Sequence, residues 1–130
     1  MGYVGLPLAV EFARAGFSVI GFDIDARRVN AINKGKSYIP DVSDKEFSQI
    51  IKSKKLTAAI RFERLSLCDV IIICVPTPLG KSKEPDISFV AKACAEIAKV
   101  LRKGQLVVLE STTYPGTTRD MVLPLFAAKG

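Results

Sequence analysis

The chain opens Met1-Gly2-Tyr3-Val4-Gly5-Leu6-Pro7, the back half of a G-x-G-x-x-G turn. That signature joins an apolar strand to a helix inside a strand–helix–strand unit, and so commits a chain to a parallel sheet with crossover helices. Gly2 and Gly5 match its second and third glycines, and Met1 stands at the x before them. The first glycine and the strand that feeds it fall outside these 130 residues, which reads as a fragment with Met1 internal to a longer frame. The second glycine lets backbone approach a pyrophosphate, and the third permits close helix–strand packing. The expected ligand is a nicotinamide or flavin dinucleotide. A glycine pair also occurs in ordinary turns, so the rest of the chain has to carry the point.

Helical and strand-like segments alternate along the whole length, which predicts an α/β fold: a Rossmann-like doubly wound parallel sheet lacking its first strand. Leu6 to Ala15 reads as a helix, with Pro7 in its first turn and Gly16 as its stop. Ser18 to Phe22 is a short strand ending at Asp23, and Asp25 caps a helix through Lys34 that Gly35 halts. Ser43 and Glu46 have capping-box spacing, so a third helix is expected over Asp44 to Lys54. Leu56 to Ile60 is a further short strand. Val70 to Val75 is apolar on both faces and predicts a central strand.

Thr77 to Pro85 reads as a polar loop. From Asp86 a helix follows, with Ile87, Val90, Ala91, Cys94, Ile97, Ala98 and Leu101 on one face. Gln105 to Leu109 is the next strand, and Thr117 to Lys129 a last helix bent at Pro124. In the order 3-2-1-4-5-6 the missing strand lies between the Asp23 strand and the Val70 strand. Its removal would leave unpaired backbone groups on both.

Composition narrows the partners. At 130 residues and 48% apolar the chain is one globular domain at most, small for a whole oxidoreductase. No apolar run is long enough to span a membrane and no signal peptide precedes the first helix, so the cytoplasm is the expected compartment. With no histidine, and with Cys68, Cys74 and Cys94 in no C-x-x-C pair, no metal site is expected, and the thiols read as reduced core residues. The net charge of +6 reads in two ways. It attracts anionic ligands, or it reflects solvated helix ends at Lys52, Lys54 and Lys55 and at Arg102 and Lys103. No aromatic residues are interleaved with these clusters, which argues against a nucleic-acid partner.

The chemistry is expected at the carboxyl ends of the strands, where ligands of open α/β sheets bind. Asp23 lies about 20 residues beyond the glycines, the place of an acid that accepts from a ribose diol. Such an acid disfavours a 2′-phosphate and so prefers NAD to NADP. Arg28 is nearby and could serve a phosphate instead, and the lesser alternative for Asp23 is a plain strand-end turn residue. The turns Val75-Pro76-Thr77-Pro78 and Glu110-Ser111-Thr112-Thr113-Tyr114-Pro115-Gly116-Thr117-Thr118 end the next two strands. Each alone is a proline turn or helix cap; together they would face the crevice of Gly2 and Asp23.

These last two runs, with Gly2 to Pro7, resemble the UDP-glucose/GDP-mannose dehydrogenase family, and the resemblance covers the whole chain. Ser37-Tyr38-Ile39-Pro40-Asp41-Val42 and Glu84-Pro85-Asp86-Ile87-Ser88 are most similar to its UDP-N-acetylhexosamine 6-dehydrogenase branch. The resemblance implies oxidation of a sugar C6 alcohol to a carboxylate with two NAD⁺. It implies NAD contacts at Val4, Asp23, Arg28, Thr77 and Thr112, beside the glycines Gly2 and Gly5. Thr112 also matches a threonine that positions water near the reacting carbon. The family's thioester-forming cysteine, its partner lysine and its sugar-binding domain would lie beyond Gly130. None of the three cysteines matches that nucleophile.

The cofactor domain of a UDP-sugar dehydrogenase, homo-oligomeric when full length, is therefore the first expectation, with this segment alone inactive. A non-catalytic NAD-sensing module and a dehydrogenase of 2- or 3-hydroxy acids are the alternatives. Neither calls for a hydroxyl-rich turn followed by Tyr-Pro-Gly.

Overall fold

The computed structural model describes residues 2–128, with side chains from Val4 onward. They form two compact units, Met1–Arg61 and Phe62–Gly130. The first unit runs α1 (Gly2–Arg14), β1 (Val19–Phe22), α2 (Ala26–Asn33), α3 (Asp44–Lys52) and β2 (Leu56–Ala59). The second contains a 3-10 turn (Phe62–Leu67), β3 (Val70–Ile73), α4 (Ser88–Val100), β4 (Leu106–Leu109), a π-helical segment (Thr118–Val122) and α5 (Leu123–Ala127).

In the first unit β1 and β2 pair in parallel, Val19 opposite Leu56 and Phe22 opposite Ala59. Leu6, Ala9, Val10 and Ala13 recur at helical spacing along α1 and are all buried. They close over Ile32 of α2, Phe47 of α3 and Leu56 of β2, each wholly inaccessible to solvent. Helix ends follow local chemistry. The Asp25 carboxylate accepts from the Arg27 amide at 2.9 Å, and Gly35, at φ +75°, turns the chain out of α2. Ser43 accepts from the Glu46 amide at 3.3 Å, the first half of a capping box. Glu46 does not complete it, because its carboxylate pairs with the Arg14 guanidinium on α1. Two residues before the expected end, α3 stops at Lys52, and Lys54 takes φ +61° to lead into β2.

One side chain finishes the sheet on its outer side. The Asn33 amide nitrogen donates to the Ala58 carbonyl at 3.0 Å, and its oxygen accepts from the Ala58 amide at 2.8 Å. Both polar groups of an edge residue are thereby satisfied by the end of α2, which blunts an exposed edge.

In the second unit β3 and β4 pair in parallel, Val70 opposite Leu106 and Ile73 opposite Leu109. Val90, Cys94, Ile97 and Ala98 form the buried face of α4. Arg102 was expected on a solvated helix end. It is exposed just beyond the end of α4, and its guanidinium also donates to the carbonyls of Ser66 and Cys68 at 2.7 and 3.1 Å and pairs with Asp69 at 3.1 Å. Gln105 adds bonds to the carbonyls of Leu65 and Cys68, so together they cap the end of the 3-10 turn.

The fold class is that of an α/β chain with parallel strands, and the pairings β1–β2 and β3–β4 are those the order 3-2-1-4-5-6 gives to strands 2–3 and 4–5. Other details depart from expectation. Helix α1 begins at Gly2, so Gly2 and Gly5 lie in the helix rather than in a turn ahead of it. Strand β3 ends at Ile73, two residues early, and Val70 is half exposed, because β4 is its one strand neighbour among the described residues. The last helix bends through the π segment, in which the Leu123 amide donates to the Thr118 carbonyl, and Pro124 next to it has no N–H to continue the ladder. Lys129 lies outside the described residues. Of the thiols, Cys94 alone is buried, while Cys68 and Cys74 are partly exposed. Among the described residues no helix is long and apolar enough to cross a membrane.

Candidate cofactor site

The carboxyl end of β1 delivers Asp23, a buried acid at 8% exposure. Its Oδ1 accepts from the Asp25 amide at 2.9 Å, and its Oδ2 lies 3.7 Å from the guanidinium of Arg28 in the first turn of α2. Burial pushes this carboxyl up. The hydrogen bonds and positive charges around it, the Asp25 amide and Arg28 among them, more than offset that and hold it below the ordinary value. Asp23 is therefore an anion at neutral pH. The half-exposed Arg28 guanidinium also rests over the Tyr38 ring, 5.8 Å from its centroid.

Val4 and Gly5 share the first turns of α1 with Gly2. Val4 is 62% exposed and Gly5 is buried, a surface contact beside a packing position.

In the second unit the residues after β3 and β4 lie side by side. The Glu110 amide continues the ladder to the Ile73 carbonyl at 3.0 Å. The Ser111 hydroxyl then donates to the Val75 carbonyl at 2.9 Å, with a longer approach of 3.4 Å to that of Ile73. Thr77 and Thr112 follow directly on these two turns, Thr77 half-buried and Thr112 exposed. Thr117 is buried and donates to the Tyr114 carbonyl at 2.7 Å, so it holds the Tyr-Pro-Gly turn instead of facing solvent. Cys74, beside this turn, is a poor nucleophile: burial pushes its thiol up and the Glu110 carboxylate pushes it further. Among the described residues no group of three or more His, Cys, Asp or Glu is placed to hold a metal ion.

Asp23 with Arg28, and the Thr77 turn with the Thr112 turn, are thus each brought together within a unit. Sequence reasoning passed over two participants. Tyr38 gave no signal beyond its place in the Ser37 to Val42 run. Ser111 was legible only as the hydroxyl residue at the end of β4.

The sequence model of the UDP-glucose/GDP-mannose dehydrogenase family, NAD binding domain, matches residues 1–130. The UDP-N-acetyl-D-glucosamine 6-dehydrogenase of Pseudomonas aeruginosa is 38% identical over 125 residues, 96% of this chain and 29% of that protein. The UDP-N-acetyl-D-mannosamine dehydrogenase of Pyrococcus horikoshii is 40% identical over 123 residues, 93% of this chain and 29% of its own length. Among solved structures, the UDP-D-ManNAc dehydrogenase of Pyrococcus horikoshii superposes with a TM-score of 0.90 at 39% identity, covering 99% of this chain and 31% of that one. A ternary complex of GDP-mannose dehydrogenase from Pseudomonas aeruginosa gives 0.89 at 32% identity over 98% of this chain and 30% of its own. The chain thus spans under a third of the length of these relatives. A match over every residue, with solved relatives of the same fold, makes this chain a member of the UDP-glucose/GDP-mannose dehydrogenase family, within its NAD-binding domain.

Proposed function

We propose that the chain binds NAD through Gly2, Val4, Gly5, Asp23, Arg28, Thr77 and Thr112, as the cofactor domain of an enzyme that oxidises the C6 alcohol of a UDP-sugar to a carboxylate. The observation that carries this reading is the buried, ionised Asp23 at the end of β1, held by the Asp25 amide and Arg28. A carboxylate so placed accepts from both hydroxyls of a ribose and repels a phosphate on either. The amides at the start of α1 face the pyrophosphate, with Gly5 buried behind them. Bound NAD⁺ supplies the acceptor for hydride from C6. Thr112 orients the water of the second stage, and its hydroxyl is too weakly basic to activate that water alone.

UDP-N-acetylglucosamine is the proposed sugar nucleotide. The relatives in Pseudomonas aeruginosa and Salmonella typhi that carry that name are each 38% identical to this chain. The N-acetylmannosamine enzymes range over 38–42%, so the hexosamine class is better supported than either member of it. Both substrate and cofactor are cytoplasmic metabolites, which makes the cytoplasm the proposed compartment.

Calorimetry with NAD and NADP tests the cofactor assignment directly. NADH absorbance with UDP-N-acetylglucosamine, UDP-N-acetylmannosamine, UDP-glucose and GDP-mannose tests the substrate. We expect turnover from the whole enzyme and none from the 130-residue segment, because hydride transfer needs the sugar held against the nicotinamide. NADP binding tighter than NAD would overturn the cofactor assignment.

A further inference from the structure

We infer that Ser111 is a positioning residue that fixes the Thr77 turn against the Thr112 turn. The inference rests on the cofactor reading above. Its ground is a shortage of backbone donors. Between Val75 and Pro78 the chain reads Val-Pro-Thr-Pro, and neither Pro76 nor Pro78 has an N–H with which to anchor the turn. At its far end the turn is tied by the Asp86 amide, which donates to the Pro78 carbonyl at 2.7 Å. At its near end the tie is a side chain: the Ser111 hydroxyl on the Val75 carbonyl at 2.9 Å.

A hydroxyl has one proton, and the Ile73 carbonyl, 3.4 Å away, already accepts from the Glu110 amide at 3.0 Å. The bond to Val75 is therefore the principal one. Thr77 is suspended between these two ties, two residues from the first and one from the second. Ser111 is bonded directly to Thr112 along the chain. One hydroxyl thus sets the separation of two threonines on different turns. Without it, binding a ligand that touches both must first order the Thr77 turn, and that ordering is paid out of affinity.

The test uses a volume-matched pair in the whole protein, Ser111→Thr and Ser111→Val, with Ser111→Ala beside them. Thr keeps a hydroxyl that reaches Val75; Val does not. We expect Ser111→Val and Ser111→Ala to raise the Kd for NAD about 3- to 10-fold, the equivalent of one net hydrogen bond. Ser111→Thr should bind as the parent does. In the absence of NAD, the Thr77 amide should exchange faster in the Val variant than in the Thr variant. In a Thr77→Ala background the Ser111→Val effect on Kd should shrink, since the group it positions is gone.

A Val variant that binds NAD as tightly as the Thr variant, with unchanged Thr77 exchange, overturns the positioning role and leaves the cofactor reading standing. A parent protein that binds no NAD overturns both. Equal effects of Ser111→Val with and without Thr77 also overturn the role, because the loss would then not pass through Thr77.

Discussion

The Arg28 guanidinium lies 3.7 Å from the Asp23 carboxylate, which is 8% exposed. A charge so far from solvent requires partners, and Arg28, in the first turn of α2, is one cation within reach of it. The Tyr38 ring centroid lies 5.8 Å from the same guanidinium. An arginine at this position reads from the sequence as a phosphate ligand as readily as a structural one. Set beside an acid and an aromatic ring, it is engaged with the protein before any ligand arrives. Under the proposed function this pair sets cofactor choice: the ribose diol finds an acceptor in Asp23, and a 2′-phosphate finds a carboxylate in its way.

Asp23→Ala should therefore weaken NAD binding by about 1–3 kcal/mol, the range for a hydrogen bond to a charged group. The same change releases Arg28, so the affinity for NADP should fall less than that for NAD, or rise. Calorimetry of both cofactors on parent and variant reads this out. An unchanged NAD affinity in Asp23→Ala would remove Asp23 from the site.

Much of this was open to inspection in the residues. The buried faces of α1 and α4 follow from apolar spacing, and the stops at Gly16 and Gly35 from a need for positive φ, which both adopt. The ends of β3 and α1 were not. Val75 is as apolar as Ile73, yet Pro76 behind it cannot donate to a ladder, and the strand stops earlier than hydrophobicity suggests. Glycines count against helix by propensity, yet Gly2 and Gly5 lie within α1. The π segment after Gly116 has no signature of its own. Contacts such as Ser111 with Val75 join residues 36 apart and exist only once β3 and β4 have paired.

The same carboxylate predicts an acid limit. Asp23 titrates below the ordinary 3.8, despite burial, because of the hydrogen bonds and positive charges around it. A depressed folded-state value means its stabilisation is complete above the unfolded value and is lost as pH falls through the folded one. Asp23→Asn should thus be less stable than the parent by a constant amount at about pH 7 and about pH 5, and the gap should close towards about pH 2. Urea unfolding at these pH values measures it. A gap that widens on acidification would mean the folded carboxyl titrates above its ordinary value.

Two glycines with positive φ should respond differently to alanine. Gly35 sits at φ +75°, and an added Cβ would lie 3.1 Å from the Ser48 Cα of α3, a backbone atom that cannot swing aside. Gly104 has φ +90° with nothing within 4 Å. Gly104→Ala should destabilise by about 1 kcal/mol, from backbone strain alone. Gly35→Ala should exceed that by about another 1 kcal/mol or more, since it also pushes α2 and α3 apart. Denaturant midpoints of the two variants at matched slope decide the order. Equal losses would show that α3 yields freely at Ser48.

Asn33 offers the sharpest test of how the first unit ends its sheet. Its side chain donates to the Ala58 carbonyl at 3.0 Å and accepts from the Ala58 amide at 2.8 Å, two opposite demands met by one amide group. Aspartate has the same shape but no donor when ionised, so Asn33→Asp would set a charged oxygen against the Ala58 carbonyl. Alanine removes both bonds and leaves the amide and carbonyl of Ala58, a residue only 8% exposed, without that partner. Asn33→Ala should therefore cost about 1–3 kcal/mol, the range for buried polar groups that lose their partner, and Asn33→Asp more, because repulsion is added to the loss. Lowering the pH below the ordinary carboxyl range should bring the Asp variant back towards the parent, as a protonated acid can donate to the Ala58 carbonyl and accept from its amide. Thermal or urea unfolding of the three proteins at about pH 7 and about pH 3 separates these terms. An Asp variant no worse than Ala at neutral pH would show that the Ala58 carbonyl does not depend on Asn33 for its partner.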